Sequence, residues 1–157
     1  MANCDRVYER IFIGDVVTSR DVQFLKEHSI RAVLSLVDLG VALPSEVAHS
    51  YVQLSDSGKN DPEDLAEAVQ TLYKMYRTSR DGNVLVHCVA GMSRSPIVVA
   101  TLMALLTGRQ ISQCLIDIGA HRAIQPNDEL LRLVLNHKEE IFKAVVQSFH
   151  SLGGLGL

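Results

Sequence analysis

The stretch NVLVHCVAGMSRSPIVVATLMALLT, residues 83–107, decides the fold of this chain. A short apolar segment ends at Cys88, a polar loop containing Gly91 follows, and a long apolar segment begins at about Arg94. This order predicts a buried strand, a tight loop and a buried helix that Gly108 ends.

Segments on both sides of this stretch alternate between strand-like and helix-like patterns. The upstream predictions are a strand pair at 7–8 and 11–13, a helix capped by Thr18 or Ser19 and ending near His28, strands over 31–37 and 51–54, and a helix beginning at Pro62 with Asp61 as its cap. The downstream predictions are helices over roughly 111–122 and 129–148. This alternation is typical of an α/β fold with a largely parallel central sheet. Sites in such sheets lie at the carboxyl ends of strands, which is where Cys88 falls.

Length and composition narrow the possible classes of protein. The 157 residues fit one domain, which we place at residues 1–150, followed by a flexible tail at 151–157. The net charge of -3 gives no reason to expect nucleic acid or a membrane as a partner, and no apolar stretch is long enough to cross a bilayer. Three widely spaced cysteines (Cys4, Cys88 and Cys114) argue against a disulfide framework or a zinc site. We therefore expect a reducing compartment, the cytoplasm or the nucleus.

The loop after Cys88 combines the groups that phosphate chemistry needs. Gly91 permits unusual backbone conformations, and the helix that follows adds the positive end of its dipole. Arg94 stands six positions after Cys88, so a curled loop brings its guanidinium group and the sulfur to one bound phosphate. The positive field favours a thiolate, which can attack phosphorus. Ser95 can donate a hydrogen bond to the thiolate when it leaves.

Taken alone, these residues have ordinary structural roles. A lone cysteine at a strand end is usually a small buried hydrophobe, and a lone arginine is usually a surface charge. Their fixed order between a buried strand and a helix argues against that interpretation. The segment Gly91-Met-Ser-Arg-Ser95 also resembles half of a serine-hydrolase elbow, G-x-S-x-G, but the second glycine is missing. A G-x-x-x-x-G-K-[ST] nucleotide loop does not occur.

The segment His87-Cys88-(Val-Ala-Gly-Met-Ser)-Arg94-Ser95 resembles the signature loop of the dual-specificity protein phosphatases, within the protein tyrosine phosphatase superfamily. The resemblance extends from about Val7 to about Phe142. It implies a five-stranded, mostly parallel sheet flanked by helices, a two-step reaction through a cysteinyl-phosphate, no metal cofactor and a shallow pocket. The phosphate-binding residues that it implies are Val89, Ala90, Gly91, Met92, Ser93 and Arg94.

The resemblance also implies a general acid, an aspartate on a loop upstream of the signature. Asp56 follows the predicted strand 51–54 and lies 32 positions before Cys88, a spacing typical of small family members. Asp61 and Asp64 are alternatives, although both also suit the first turn of a helix.

The resemblance also implies two supporting residues, and the sequence departs from the family pattern at one position. His87 is implied to hydrogen-bond the loop and to tune the cysteine. Asn127 resembles a motif residue that braces the loop, and capping of a helix is its alternative role. Thr101 stands where family members often carry Tyr, which leaves any substrate contact of that Tyr in doubt.

The function we expect is hydrolysis of phosphotyrosine and phosphoserine or phosphothreonine in a phosphorylated protein, by a stand-alone monomer. The loop positions Val89, Ala90 and Met92 are uncharged, whereas relatives acting on phosphoinositides tend to carry Lys or Arg there. Two alternatives stay open: a phosphatase of a phosphoinositide or an RNA 5′-triphosphate, and a pseudophosphatase module that binds phosphoproteins.

Overall fold

The computed structural model describes residues 2–151, with side-chain environments for residues 2–148. The predicted tail at 151–157 lies outside the described residues from position 152 onward. In chain order the elements are β1 (Cys4–Tyr8), β2 (Ile11–Gly14), α1 (Val16–Ser19), α2 (Val22–Glu27), β3 (Ile30–Ser35), β4 (Ala48–Tyr51), α3 (Pro62–Thr78), β5 (Asn83–His87), α4 (Arg94–Thr107), α5 (Ile111–Gly119), α6 (Asp128–Asn136) and α7 (Lys138–Ser151).

The five strands form one sheet in the order β1-β2-β5-β3-β4. Strand β1 is antiparallel to β2, and the other neighbours are parallel, which confirms the predicted sheet. The last residue of β5, His87, lies beside Gly14 of β2 and Ser35 of β3. The chain therefore leaves the middle of the sheet at Cys88, with a strand end on either side.

Successive residues of β5 enter opposite faces of the sheet, as the period of a strand requires. Val84 and Val86 pack in the larger core under α3 to α7, whereas Leu85 packs in a smaller core with α2. All three side chains are fully buried. Burial on both faces explains why β5 is an uninterrupted apolar run rather than an alternating one.

Helix α4 begins at Arg94 and ends at Thr107, the bounds that the sequence predicts. Gly108 ends it in a left-handed conformation, with φ of 74°. Ile97, Val99 and Leu102 are completely buried, and each such side chain contributes about 1.5–3 kcal/mol to folding. This packing fixes the start of α4, and hence Arg94, relative to the sheet.

The first helical region differs from the prediction because other residues cap it. Asp21, not Thr18 or Ser19, caps α2 through a hydrogen bond from the backbone N–H of Phe24. Thr18 and Ser19 instead lie in the separate short helix α1, which Asp15 caps. Two aspartate caps six residues apart thus divide a segment that the apolar spacing alone does not divide.

The strand predicted at 51–54 is wrong by three residues, because β4 ends at Tyr51. Strand β4 is an edge strand and mostly exposed, so it lacks an apolar pattern. The apolar residues Val52 and Leu54 enter the core just beyond it, where their N–H groups donate to the carbonyls of Ser35 and Leu36.

Three further boundaries differ. Strand β3 ends at Ser35, and α5 ends at Gly119 rather than Arg122. The helix predicted over 129–148 is two helices, because the backbone departs from helical geometry at His137 while the apolar periodicity continues past it.

Within residues 2–151, no single helix is long and apolar enough to cross a membrane. Helices α4 and α5 pass that test only as a pair, by length and composition, and are bent by 119° at the break between them.

Candidate active site

The segment Cys88–Arg94, here called the signature loop, joins the centre of the sheet to the first turn of α4. Gly91 adopts a φ of 71°, in the left-handed region that favours glycine. A Cβ at this position would lie 2.6 Å from Arg122 Nη2 and 2.7 Å from the Gly14 carbonyl oxygen. The tight curl of the loop therefore requires glycine for its conformation and for the space around it.

A cavity of about 550 Å³ opens over this loop. Its lining residues are Asp56, Cys88, Val89, Ala90, Met92, Ser93, Arg94, Gln125, Pro126, Asn127 and Asp128. The structure thus brings Cys88, Arg94 and Asp56 to one cavity, together with most of the predicted phosphate-binding residues. Gly91, Ser95 and His87 lie behind its surface and are buried.

Cys88 lies at the bottom of the cavity and is 2% exposed. Burial by itself opposes ionisation of the thiol. The Ser95 hydroxyl, the backbone N–H groups of Ser95 and Gly91, and the charge of Arg94 together outweigh burial, so the net pKa of Cys88 is lowered from 9.0. A sulfur with a lowered pKa at the base of an anion cradle is suited to nucleophilic attack.

Ser95 is fully buried in the first turn of α4. Among the described residues its Oγ has no hydrogen bond of standard geometry, yet the hydroxyl lowers the Cys88 pKa. The sulfur is a large, diffuse acceptor, so a polar contact outside strict hydrogen-bond geometry still stabilises the thiolate. The Ser95 hydroxyl therefore stabilises the thiolate without a completed hydrogen bond to the sulfur.

The guanidinium group of Arg94 lies half-buried in the cavity wall. Its Nη1 donates to the Leu54 carbonyl at 3.1 Å, which fixes the plane of the group. Its Nε is buried and has no partner in the described part of the chain. A buried donor without an acceptor is costly. Because Arg94 lines the cavity, its guanidinium group is placed to bind a phosphate there.

Asp56 stands at the rim of the cavity, on the loop between β4 and α3. Its Oδ1 accepts a hydrogen bond from Ser93 Oγ at 2.5 Å. The loop is held in shape by Asn60, whose side chain bonds the backbone N–H and carbonyl of Ser55. Asp56 is therefore positioned directly by the signature loop.

Neither alternative acid lines this cavity. Asp61 is the N-cap residue of α3, although its side chain makes no capping bond and its carbonyl accepts from the N–H groups of Asp64 and Leu65. Asp64 lies in the first turn of the same helix. Their placement suits helix initiation and favours Asp56 as the acid.

Asn127 contacts the signature loop, but not through its side chain. Its backbone N–H donates to Ser93 Oγ at 2.8 Å, whereas its Oδ1 accepts from the N–H of Leu130 and caps α6. The side chain thus has the capping role, and loop bracing comes from the backbone. Ser93 Oγ consequently joins Asp56 to the start of α6.

His87 supports the loop from within the sheet. Burial lowers its pKa, so the ring is neutral near pH 7. Its Nδ1 must donate to the Cys88 carbonyl at 3.0 Å, because a carbonyl only accepts. Its Nε2 then accepts from Ser35 Oγ at 2.6 Å, and Ser35 Oγ in turn accepts from His49 Nε2 at 2.7 Å.

Thr101 is completely buried in α4, where its Oγ1 donates to the Ile97 carbonyl at 2.7 Å. It does not line the cavity, so the departure from the family's usual Tyr falls in the core.

Two residues that support the signature loop, Ser35 and Arg122, have no predicted role in the sequence. Ser35 bridges His87 and His49, and Arg122 bonds the outer side of the signature loop. Arg122 follows α5 and lies 34 positions after Cys88. No local pattern marks either residue, because each reaches the loop only through the folded arrangement of separate elements.

Comparison with protein families places most of the chain in one of them. The family model described as "Dual specificity phosphatase, catalytic domain" matches residues 11–140. Human dual specificity protein phosphatase 13B is 27% identical over 137 residues, which cover 82% of this chain and 69% of that protein. Dual specificity protein phosphatase 1B of Arabidopsis thaliana is 34% identical over 101 residues, 62% of this chain and 59% of that protein.

Solved structures show the same architecture. Human DUSP28 aligns with a TM-score of 0.76 at 19% identity, over 90% of this chain and 96% of that one. At this identity the likeness shows the fold alone, a sheet and helices arranged as described above.

Proposed function

The chain belongs to the dual specificity phosphatase family, and on that premise we propose that it hydrolyses phosphotyrosine and phosphoserine or phosphothreonine in phosphorylated proteins, with Cys88 as nucleophile. The observation that carries the proposal is that Cys88, Arg94 and Asp56 line one cavity. A nucleophile, an oxyanion clamp and a proton donor are the three groups that cleavage of a phosphate monoester needs.

In the first step, the phosphate group binds over the signature loop. The guanidinium group of Arg94 and the loop N–H groups bind its equatorial oxygens. The Cys88 thiolate attacks phosphorus as the bond to the leaving oxygen breaks. Asp56 gives its proton to that oxygen, so the product leaves as a neutral alcohol or phenol.

In the second step, Asp56, now a carboxylate, takes a proton from a water molecule that attacks the phosphocysteine. The phosphorus–sulfur bond breaks, and the electron pair returns to the sulfur. Ser95, whose hydroxyl lacks a standard partner, stabilises the departing thiolate. Inorganic phosphate leaves, and both Cys88 and Asp56 return to their initial protonation states.

The charge of the cavity supports a phosphoprotein as substrate. Among the described residues that line it, Arg94 is the single cation, whereas Asp56 and Asp128 are acidic. A phosphoinositide or a 5′-triphosphate brings further phosphates, which need further cations close by. The exposed rim residues Val89 and Met92 suit apolar side chains next to a phosphorylated residue.

The cellular setting is part of the same proposal. A thiolate nucleophile must stay reduced, which favours the cytoplasm or the nucleus. We also expect the protein to act as a monomer.

The decisive experiment is a turnover panel with the purified protein. It compares phosphotyrosine, phosphothreonine and doubly phosphorylated peptides with phosphoinositides and a 5′-triphosphate RNA, and reads released phosphate. We expect the highest kcat/KM on singly phosphorylated peptides. A higher kcat/KM on phosphoinositide or RNA would overturn the substrate class, and tight phosphopeptide binding without turnover would overturn the enzymatic role.

A further inference from the structure

Arg122 is a buried arginine that holds the signature loop from outside the cavity through two of its three hydrogen bonds. It is 6% exposed and follows the end of α5. Its Nε donates to the Gly91 carbonyl and its Nη2 to the Ala90 carbonyl, both at 2.8 Å. Its Nη1 donates to Asp5 Oδ2 on β1 at 3.0 Å.

Five successive carbonyls of the signature loop, from Cys88 to Met92, each accept a hydrogen bond. The Cys88 carbonyl accepts from His87, that of Val89 from the N–H of Val16, and that of Met92 from the N–H of Gln125. The two carbonyls between them, those of Ala90 and Gly91, are bound by Arg122 alone among the described residues.

Because the peptide bond is planar, the direction of each carbonyl also fixes the direction of the N–H group that follows it. In a trans peptide, the carbonyl of one residue and the N–H of the next point in opposite directions. The Ala90 and Gly91 carbonyls point outward to Arg122, so the N–H groups of Gly91 and Met92 point inward. The contact of the Gly91 N–H with the Cys88 sulfur agrees with this direction.

We propose that Arg122 is a positioning residue for phosphate binding, which aims the N–H groups of Gly91 and Met92 at the phosphate by holding the two preceding carbonyls outward. The inference rests on the proposed function of the same site. A guanidinium fork can bind two adjacent carbonyls at once, whereas the compact ammonium of lysine lacks that planar fork. The absence of a Cβ at Gly91 is what lets Arg122 approach, since a Cβ would lie 2.6 Å from its Nη2.

The test compares Arg122→Lys and Arg122→Ala with two controls in the full chain. Arg109→Lys makes the same substitution at an exposed arginine paired with Asp117. Asp5→Asn removes the charge of the third partner and keeps an oxygen that can accept from Arg122. Inhibition by vanadate measures anion binding by the signature loop, and turnover of p-nitrophenyl phosphate measures catalysis. Thermal unfolding measures the stability of each variant.

We expect vanadate to bind at least about tenfold more weakly to both Arg122 variants, from the loss of one or two charge-assisted hydrogen bonds. KM should rise with it, and added guanidinium should restore part of the affinity of Arg122→Ala. Both controls should stay within about threefold of the unmodified chain. A stability defect alone would be rescued by lower temperature, whereas weak vanadate binding would persist below the unfolding transition.

The two proposals fail in different ways. If Arg122→Lys is folded and binds vanadate as tightly as the unmodified chain, the positioning role is wrong, even if Arg122→Ala does not fold. If the unmodified chain binds vanadate but does not turn over any phosphate ester, the proposed function is wrong, while the effect of Arg122 on the cradle can still be measured.

Discussion

Removal of the Ser93 hydroxyl should separate positioning of the acid from binding of the phosphate. Ser93 Oγ donates to Asp56 Oδ1 at 2.5 Å and accepts from the Asn127 N–H at 2.8 Å. Ser93→Ala removes both bonds and keeps the backbone of the loop. We expect Asp56 to lose its fixed position at the rim while Cys88 and Arg94 remain in place.

The magnitude follows from the bond that is lost. A hydrogen bond to a charged group contributes about 1.5–3 kcal/mol. Asp56 is exposed, so water competes for its carboxylate and the lower value applies. Because about 1.4 kcal/mol corresponds to a factor of ten in rate, we expect kcat to fall about tenfold.

This loss should depend on the leaving group. An alkyl oxygen, as in phosphoserine, needs the proton of Asp56, whereas p-nitrophenolate leaves without it. We expect about a tenfold loss of kcat on a phosphoserine or phosphothreonine peptide and less than about threefold on p-nitrophenyl phosphate. In an Asp56→Ala background, Ser93→Ala should cause little further loss, because the two residues act as a unit.

The assay is steady-state release of phosphate for the four proteins of that cycle on both substrates. Equal losses on the two substrates, or fully additive losses in the double variant, would refute the positioning of Asp56 by Ser93.

The remaining predictions concern the nucleophile and its loop. Cys88→Ser should abolish turnover and retain vanadate binding, and appreciable turnover in that variant would exclude Cys88 as nucleophile. Arg94→Lys should lower kcat/KM by about 100-fold or more, as loss of an oxyanion donor does elsewhere, and near-normal kcat/KM would contradict its role. In the proposed mechanism the thiolate is the reacting form, and the Cys88 pKa is lowered from 9.0, so kcat/KM should rise with pH through a pKa below that value. Ser95→Ala should move this rise to higher pH, and an unmoved profile would exclude a contact of Ser95 with the sulfur. Gly91→Ala should destabilise the fold by about 1–3 kcal/mol in chemical unfolding and weaken vanadate binding. Gly108→Ala is its control, since φ is 74° there but no atom lies within 4 Å of the added Cβ. Equal effects of the two substitutions on vanadate binding would contradict the crowding at Gly91.

The periodicity of apolar residues predicts helices and strands well where burial determines which residues are apolar. The bounds of α4 were predictable because its apolar residues fill the core and Gly108 closes it. Strand β4 was misplaced because an exposed edge strand has no such pattern. The division of the last helix at His137 was missed for the opposite reason, since apolar residues continue across the break.

The order of residues 87–95 by itself predicts the chemistry that we propose for this protein. A cysteine, a glycine and an arginine at fixed spacing between a strand and a helix are close in space because they are close in sequence. Local geometry therefore suffices to predict a thiolate, an anion cradle and a clamp.

Only the tertiary structure decided what surrounds that loop. Asp56 is joined to it by Ser93, the side chain of Asn127 caps a helix, and Arg122 binds two of its carbonyls from the far side. These residues come from separate elements, and the sheet and the buried helix α4 determine which of them meet. A hydrogen bond between distant parts of the chain does not require a fixed sequence separation between its partners. The sequence alone therefore does not predict it, and only the folded structure shows it.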